Sequence, residues 1–184
     1  MQTEASGLTH RLAKEADLPA LREVMELAIS ELQKPYLSPA EIEASRGSMG
    51  VDTQLVKDGT YFMVTDVASG RLAGCGGWSR RATLYGGDHS TPLRDENLLV
   101  PGRDAARVRA MYTHPDFTRR GIGRLILSLG EAAAKAEGFL SVELGATVAG
   151  IPLYKACGYQ VIEETLAPPV NGLRIPVVRM GKAL

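Results

Sequence analysis

Apolar positions recur at two different periods along the chain, and the changes of period divide it into elements. Helical spacing predicts four helices, over residues 18–33, 38–47, 122–136 and 151–156. Short runs rich in β-formers predict seven strands, in chain order 8–13, 60–66, 71–80, 107–113, 141–144, 159–164 and 173–180. The order predicts an α/β fold with hairpins early and late and a central strand–helix–strand crossover.

Several residues indicate where these elements begin and end. Asp17 precedes the first helix as an N-cap, and Ser38 with Glu41 forms the pattern of a capping box at the start of the second. Asn171-Gly172 predicts a tight turn before the last strand. Pro176 lies inside that strand, which predicts that it runs along a sheet edge or carries a bulge.

Composition indicates one globular domain that spans residues 1–184. Lys plus Arg and Asp plus Glu both number 21, so the formal net charge is zero, unlike the basic surplus of a general nucleic-acid binder. Two cysteines are too few for a disulfide framework, and their spacing does not suggest a metal site. No apolar run is long enough for a membrane span, and the N-terminus lacks the pattern of a secretory signal. We therefore expect a cytoplasmic protein that acts neither on nucleic acid nor in a membrane.

Charge is less even locally than in total. Six arginines and only two aspartates lie between Arg103 and Arg124. A local cationic patch of this kind suits a small polyanionic ligand, but the charge by itself favours an ordinary solvated arginine-rich face.

Gly121-Ile122-Gly123 lies where a predicted strand passes into a helix, flanked by arginines on both sides. Glycines there let backbone N–H groups converge on an anion at the positive end of the helix dipole. The pattern is not a P-loop, and it is not the dinucleotide fingerprint either, because the third glycine would fall at Ile126. Phosphate binding and simple packing both remain open on these residues alone.

Two longer stretches carry a family resemblance. VRAMYTHPDFTRRGIGRLIL (residues 108–127) resembles the cofactor motif of the GNAT superfamily of N-acetyltransferases, and PLYKACGY (152–159) resembles that family's later tyrosine–glycine element. The resemblance extends over about residues 8–182 in the order of elements. It implies a mixed, largely antiparallel sheet flanked by helices, with the crossover unit binding acetyl-CoA.

The resemblance also implies roles for particular residues. The loop would hold the pyrophosphate of acetyl-CoA through Arg119, Arg120, Gly121, Ile122, Gly123 and Arg124. The strand residues Met111, Tyr112 and Thr113 would hold the pantetheine arm and polarise the thioester carbonyl. Tyr154 would serve as general acid for the departing thiolate. The implied activity is transfer of an acetyl group to an amine by direct attack in a ternary complex, and the family also allows a homodimer.

The chain departs from the family pattern at three positions. Thr118 replaces a common glutamine or arginine, Arg107 stands where many members have a glutamate as general base, and Ala149 replaces a frequent asparagine. The general base is therefore open, as is the acceptor. These departures keep two alternatives: a catalytically weak acyl-CoA sensor, and a transferase of another acyl group.

Candidates for the acceptor side come from the irregular connection 82–104, which with residues 18–47 is expected to shape the acceptor site. His89 is the candidate base in that connection, and Trp78 and Tyr85 are candidate pocket residues, with Trp78 equally suited to a core position. His114 is expected to be a structural cap.

Two residues near the end of the GNAT-like region have competing interpretations. Tyr154 falls on the apolar face of its helix, so a core role competes with the catalytic one. Cys157 is expected to pack rather than act as a nucleophile, because no histidine lies near it in sequence.

Overall fold

The computed structural model describes residues 7–184; the first six, which belong to the stretch examined for a secretory signal, lie outside the described residues. The strands are β1 Leu8–Leu12, β2 Tyr61–Asp66, β3 Leu72–Ser79, β4 Ala106–Thr113, β5 Ser141–Ala146, β6 Gln160–Leu166 and β7 Pro176–Ala183. The helices are α1 Leu18–Leu32, α2 Pro39–Ser45, α3 Thr53–Lys57, α4 Ile122–Ala136 and α5 Ile151–Ala156.

The seven strands form one sheet in the order β1-β2-β3-β4-β5-β7-β6. Only β4 and β5 are parallel, so the predicted mixed, largely antiparallel α/β sheet is confirmed. Their ladder stops after two pairs, Ala106 with Val142 and Arg107 with Glu143, and the strands then diverge toward the end of β4. The divergence opens a gap in the middle of the sheet, flanked by the crossover helix α4.

Each face of the sheet carries its own core, because successive strand side chains point to opposite faces. Tyr61 and Met63 pack against α1, α2 and α3. Val64 packs against Ile122 and Ile126 of α4 on the other face. Helices α1 to α3 therefore cover one side of the gap, and α4 with α5 covers the other.

Three sequence expectations need correction. Helix α3 was not predicted, although Asp52 caps it by accepting a hydrogen bond from Gln54 N; five residues are too few to show a helical period. Asp17 does not cap α1, since its carboxylate pairs with Arg11 instead. Strand β7 lies between β5 and β6, not at the edge, and Pro176 is tolerated there because it is the first residue of the strand.

Other boundary signals are confirmed. Ser38 and Glu41 form both hydrogen bonds of the capping box. Asn171 and Gly172 adopt positive φ values of 50° and 76°, as a tight turn requires. Among residues 7–184, no helix is long and apolar enough to cross a membrane.

Candidate active site

Strand β4 contains a bulge beside the gap. Gly77 pairs with Arg109 and Cys75 with Tyr112, so two β4 residues lie opposite one of β3. Ala110 in this bulge has φ 50°, a strained value for a residue with a side chain. The buried Tyr61 hydroxyl donates a hydrogen bond of 2.6 Å to the Ala110 carbonyl. No sequence signal indicates this contact, because the pattern around Tyr61 is that of an ordinary core residue of β2.

The bulge and the divergence leave backbone groups of β4 unpaired on the β5 side. The N–H of His114 donates to Ala73 O, toward β3. Since neighbouring amides along a strand point to opposite edges, the N–H groups of Met111 and Thr113 point into the gap. This edge can accept an extended ligand as if it were another strand.

Helix α4 begins at the mouth of the gap without a side-chain cap. Its N-cap is Gly121, with φ 79°, and the preceding Arg119 also has a positive φ of 64°. The first N–H groups of the helix therefore have no partner within it. Arg119 and Arg124 line the groove in front of them. Exposed N–H groups, the helix dipole and two guanidinium groups together give this end of the groove the chemistry to accept an anionic group such as a phosphate.

Arg120 is an exception among the predicted loop residues. Its guanidinium does not line this groove; it pairs with Asp66 at 2.8 Å on the far side of the loop. Only its backbone remains for an anion. Gly123 has a packing reason as well, because a Cβ there would approach Leu153 Cδ2 of α5 to 2.6 Å. The glycine lets α5 close the groove.

Tyr154 lies on α5 where the groove meets a deeper cavity. It lines both spaces together with Met111 and Tyr112. Burial raises the pKa of the Tyr154 phenol to about 12, so its hydroxyl is protonated at neutral pH. Its catalytic and packing interpretations are not exclusive, because the ring also packs at 5.9 Å from that of Tyr159.

The deeper cavity, called the inner pocket below, passes through the gap to the α1 side of the sheet. It is lined there by residues 48–50, Tyr85, Gly86, Arg109 and Val177. Tyr112 holds its wall in place: its hydroxyl accepts from Gly50 N at 2.8 Å and donates to Gly50 O at 3.2 Å. The Tyr112 hydroxyl is therefore engaged by this wall, and its backbone pairs with Cys75 of β3.

The three candidates for the acceptor side, Tyr85, Trp78 and His89, lie in different surroundings. Tyr85 lines the inner pocket as predicted. Trp78 is a core residue in edge-to-face contact with Phe139, so its proposed pocket role is wrong. His89 is exposed beside Arg46 and lines neither the groove nor the inner pocket, so it is misplaced for a base.

The structure also shows the surroundings of His114, expected to be a cap, and of Cys157, expected to pack in the core. His114 accepts from Asp116 N, which confirms it as a cap. Cys157 is a half-buried free thiol packed with the core on the α4 side.

Arg107, at the family's base position, donates to Glu143 at 3.2 Å and does not line the inner pocket. No Asp, Glu or His of residues 7–184 lines that pocket.

Comparison with known proteins identifies the family of this chain. A family model described as an acetyltransferase (GNAT) domain matches residues 57–161. No curated protein matches the sequence. A GCN5-related N-acetyltransferase from Rhodopseudomonas palustris is 18% identical with a TM-score of 0.70, and each chain is covered completely.

Two other similar structures were determined with coenzyme A or acetyl-CoA. The PaiA N-acetyltransferase of Thermoplasma acidophilum, in complex with coenzyme A, is 16% identical with a TM-score of 0.60, covering 96% of this chain and 99% of that one. YncA, a putative acetyltransferase of Salmonella typhimurium with acetyl-CoA, is 17% identical with a TM-score of 0.62, covering 96% and 94%.

The split sheet with an uncapped helix at its mouth accompanies a family match that identifies an acyltransferase. The family match covers more than half of the chain, and the protein belongs to the GNAT family of acetyltransferases.

Proposed function

We propose that this protein transfers the acetyl group of acetyl-CoA to an amine by direct attack in a ternary complex. The observation that carries the proposal is the gap between β4 and β5, with the uncapped start of α4 and two arginines at one end and a separate pocket at the other. Two substrates can therefore meet from opposite sides of the sheet, which makes positioning the main source of rate enhancement.

The residues of the groove fit acetyl-CoA in three places. Arg119, Arg124 and the first N–H groups of α4 would hold the pyrophosphate. Met111 and Thr113 would pair with the amides of the pantetheine arm through the free edge of β4. The bulge at Ala110 would direct a backbone N–H toward the thioester oxygen, where negative charge develops during attack.

Tyr154 would act on the leaving group. Its hydroxyl stays protonated because burial raises its pKa to about 12. It can therefore donate a hydrogen bond to the sulfur as the C–S bond breaks and the C–N bond forms. The proton that the amine loses ends on the thiolate. Because no carboxylate or imidazole of residues 7–184 lines the inner pocket, water would carry it.

The phosphate site is tested by calorimetric titration with acetyl-CoA. We expect Arg119→Ala/Arg124→Ala to weaken binding by roughly tenfold or more, since each arginine supplies a charge-assisted contact. Arg120→Ala is the matched control: it removes the same side chain from the same loop, but one that pairs with Asp66. Equal losses in both variants would contradict the assignment of the groove.

Turnover is tested by release of the CoA thiol with a panel of amines. Thiol release that depends on the amine supports the transferase, whereas tight binding without release in any arm supports an acyl-CoA sensor. The homodimer and the cytoplasmic location stay predictions from the sequence.

A further inference from the structure

Arg109 is the single side chain with a formal charge that lines the inner pocket, within residues 7–184. The other ionisable groups there are three tyrosines, and burial raises the pKa of each. Arg109 is only 3% exposed. A guanidinium this deeply buried is costly unless charges and hydrogen bonds compensate it.

The protein satisfies this guanidinium incompletely. Arg109 donates to Asp52 at 2.9 Å and to the carbonyls of Gly86 at 2.7 Å and Thr83 at 3.3 Å. Asp52 also lies 3.3 Å from the guanidinium of Arg94, so one buried carboxylate is shared by two cations. Arg94 has a second partner in the half-exposed Glu96, outside the pocket. Within residues 7–184, Arg109 Nε has no hydrogen-bond partner, as is also true of Arg94 Nη1. The one charged side chain that lines the pocket therefore keeps an unused donor.

This arrangement selects among amines. A polyamine or a second ammonium group would meet the guanidinium, and no carboxylate of residues 7–184 lines the pocket to receive it. An acceptor with an anionic group beside its amine would instead accept a hydrogen bond from the unused donor of Arg109. We propose that the acceptor is an aminocarboxylate, of which an α-amino acid is the smallest example, with its carboxylate held on the Arg109 side of the inner pocket. The proposal rests on the proposed function.

Pairing of the carboxylate with Arg109 also positions the acceptor for the reaction. It fixes one end of the acceptor, and the amine at the other end attacks in its uncharged form. The nitrogen then bonds to the acetyl carbon, the C–S bond breaks, and the proton shed by nitrogen balances the thiolate. No other reactant is needed.

The test compares amino acids with their amides, which keep the side chain and the amine but lose the carboxylate. Rates are expressed per uncharged amine, because amides have less basic amines. We expect kcat/KM to favour the acids by roughly tenfold or more, as for a site built to pair with one group. Arg109→Gln should abolish this preference, and Arg109→Lys should retain part of it.

Two further variants control for loss of a charge elsewhere on β4 and for poor folding of the single variant. Arg107→Gln removes a guanidinium from the same strand outside the pocket, and it should keep the preference for acids. Asp52→Asn/Arg109→Gln removes both partners of the buried pair, so no uncompensated carboxylate remains if the single variant folds poorly. It should also lose the preference.

Acetyl-CoA binding, measured on every variant, separates the two proposals. Failure of the unmodified protein to bind acetyl-CoA overturns the proposed function, and the acceptor proposal falls with it. Binding with equal transfer to acids and amides overturns only the acceptor proposal. If acetyl-CoA binds but no transfer occurs, N-acetylamino acids and their amides are titrated into the CoA-loaded protein. A preference for the acids that depends on Arg109 supports the proposal, and no preference overturns it.

Discussion

The contact between Tyr61 and the bulge of β4 makes a quantitative prediction. The Ala110 backbone at φ 50° stores about 1–3 kcal/mol of strain. The hydrogen bond of 2.6 Å from the Tyr61 hydroxyl contributes about 1–2 kcal/mol, since the hydroxyl is fully buried. Because the two energies are of similar size, Tyr61→Phe should let the bulge relax toward a regular strand.

The stability cost follows from the same numbers. In a protein of this size, a loss of about 1–2 kcal/mol lowers Tm by roughly 2–8 °C. Activity should change more selectively. A bulge that relaxes moves the N–H proposed to face the thioester oxygen, and loss of one such donor costs up to about 100–1000-fold in kcat. For a displaced rather than deleted donor, we expect kcat to fall roughly tenfold, with KM for acetyl-CoA changed less than about twofold.

The assay is steady-state thiol release at varied acetyl-CoA, with thermal unfolding on the same samples. Tyr159→Phe is the matched control, because it deletes a hydroxyl that donates to Glu131 at 2.9 Å, with no contact to the bulge. Adding Ala110→Gly to Tyr61→Phe should recover part of both the stability and kcat, since glycine adopts positive φ freely and removes the strain that would drive the bulge to relax. An unchanged kcat in Tyr61→Phe, or an equal fall in the control, refutes the reasoning.

Three other predictions concern the groove and the N-terminal segment. Tyr154→Phe should keep acetyl-CoA affinity and lower kcat, and unchanged turnover would argue against its role toward the sulfur. Gly123→Ala places a Cβ 2.6 Å from Leu153 Cδ2 and should destabilise the fold by about 1–3 kcal/mol. Leu153→Ala in the same chain should reduce that penalty, and additive losses would show that the clash is not the cause. Arg11 lowers the pKa of Asp17 to about 2 through a hydrogen bond. The pair therefore stabilises the folded state above about pH 4, and this stabilisation is lost as pH falls toward 2. Asp17→Asn should flatten the stability curve in that window by less than about 1 kcal/mol, because Arg11 is half exposed and screened.

Most of the secondary structure could be predicted because its signals are local. The 3.6-residue period over 122–136 and the glycines at its ends define α4, and the observed helix has those bounds. The capping box of Ser38 and the turn at Asn171-Gly172 follow from the chemistry of a few adjacent residues. The short α3 escaped prediction because its five residues carry no period.

The site was predictable only in part. The loop from Arg119 to Arg124 could be located from its glycines and arginines, but the sequence could not say that Arg120 turns to Asp66. Similarly, nothing local separates Tyr85, which lines the inner pocket, from Trp78, which is buried in the core. Each side chain's surroundings come from elements distant in sequence.

The sequence by itself determined the order of elements, the crossover unit and the family, because periodicity and motif spacing act over short stretches. The tertiary structure alone decided where β4 and β5 part, since their ladder depends on how both strands twist against their neighbours. It also decided the burial of Arg109, which by sequence alone resembles a surface residue in an arginine-rich stretch. Long-range packing of residues 48–52 and 82–86 over β4 buries that guanidinium and turns it toward a pocket.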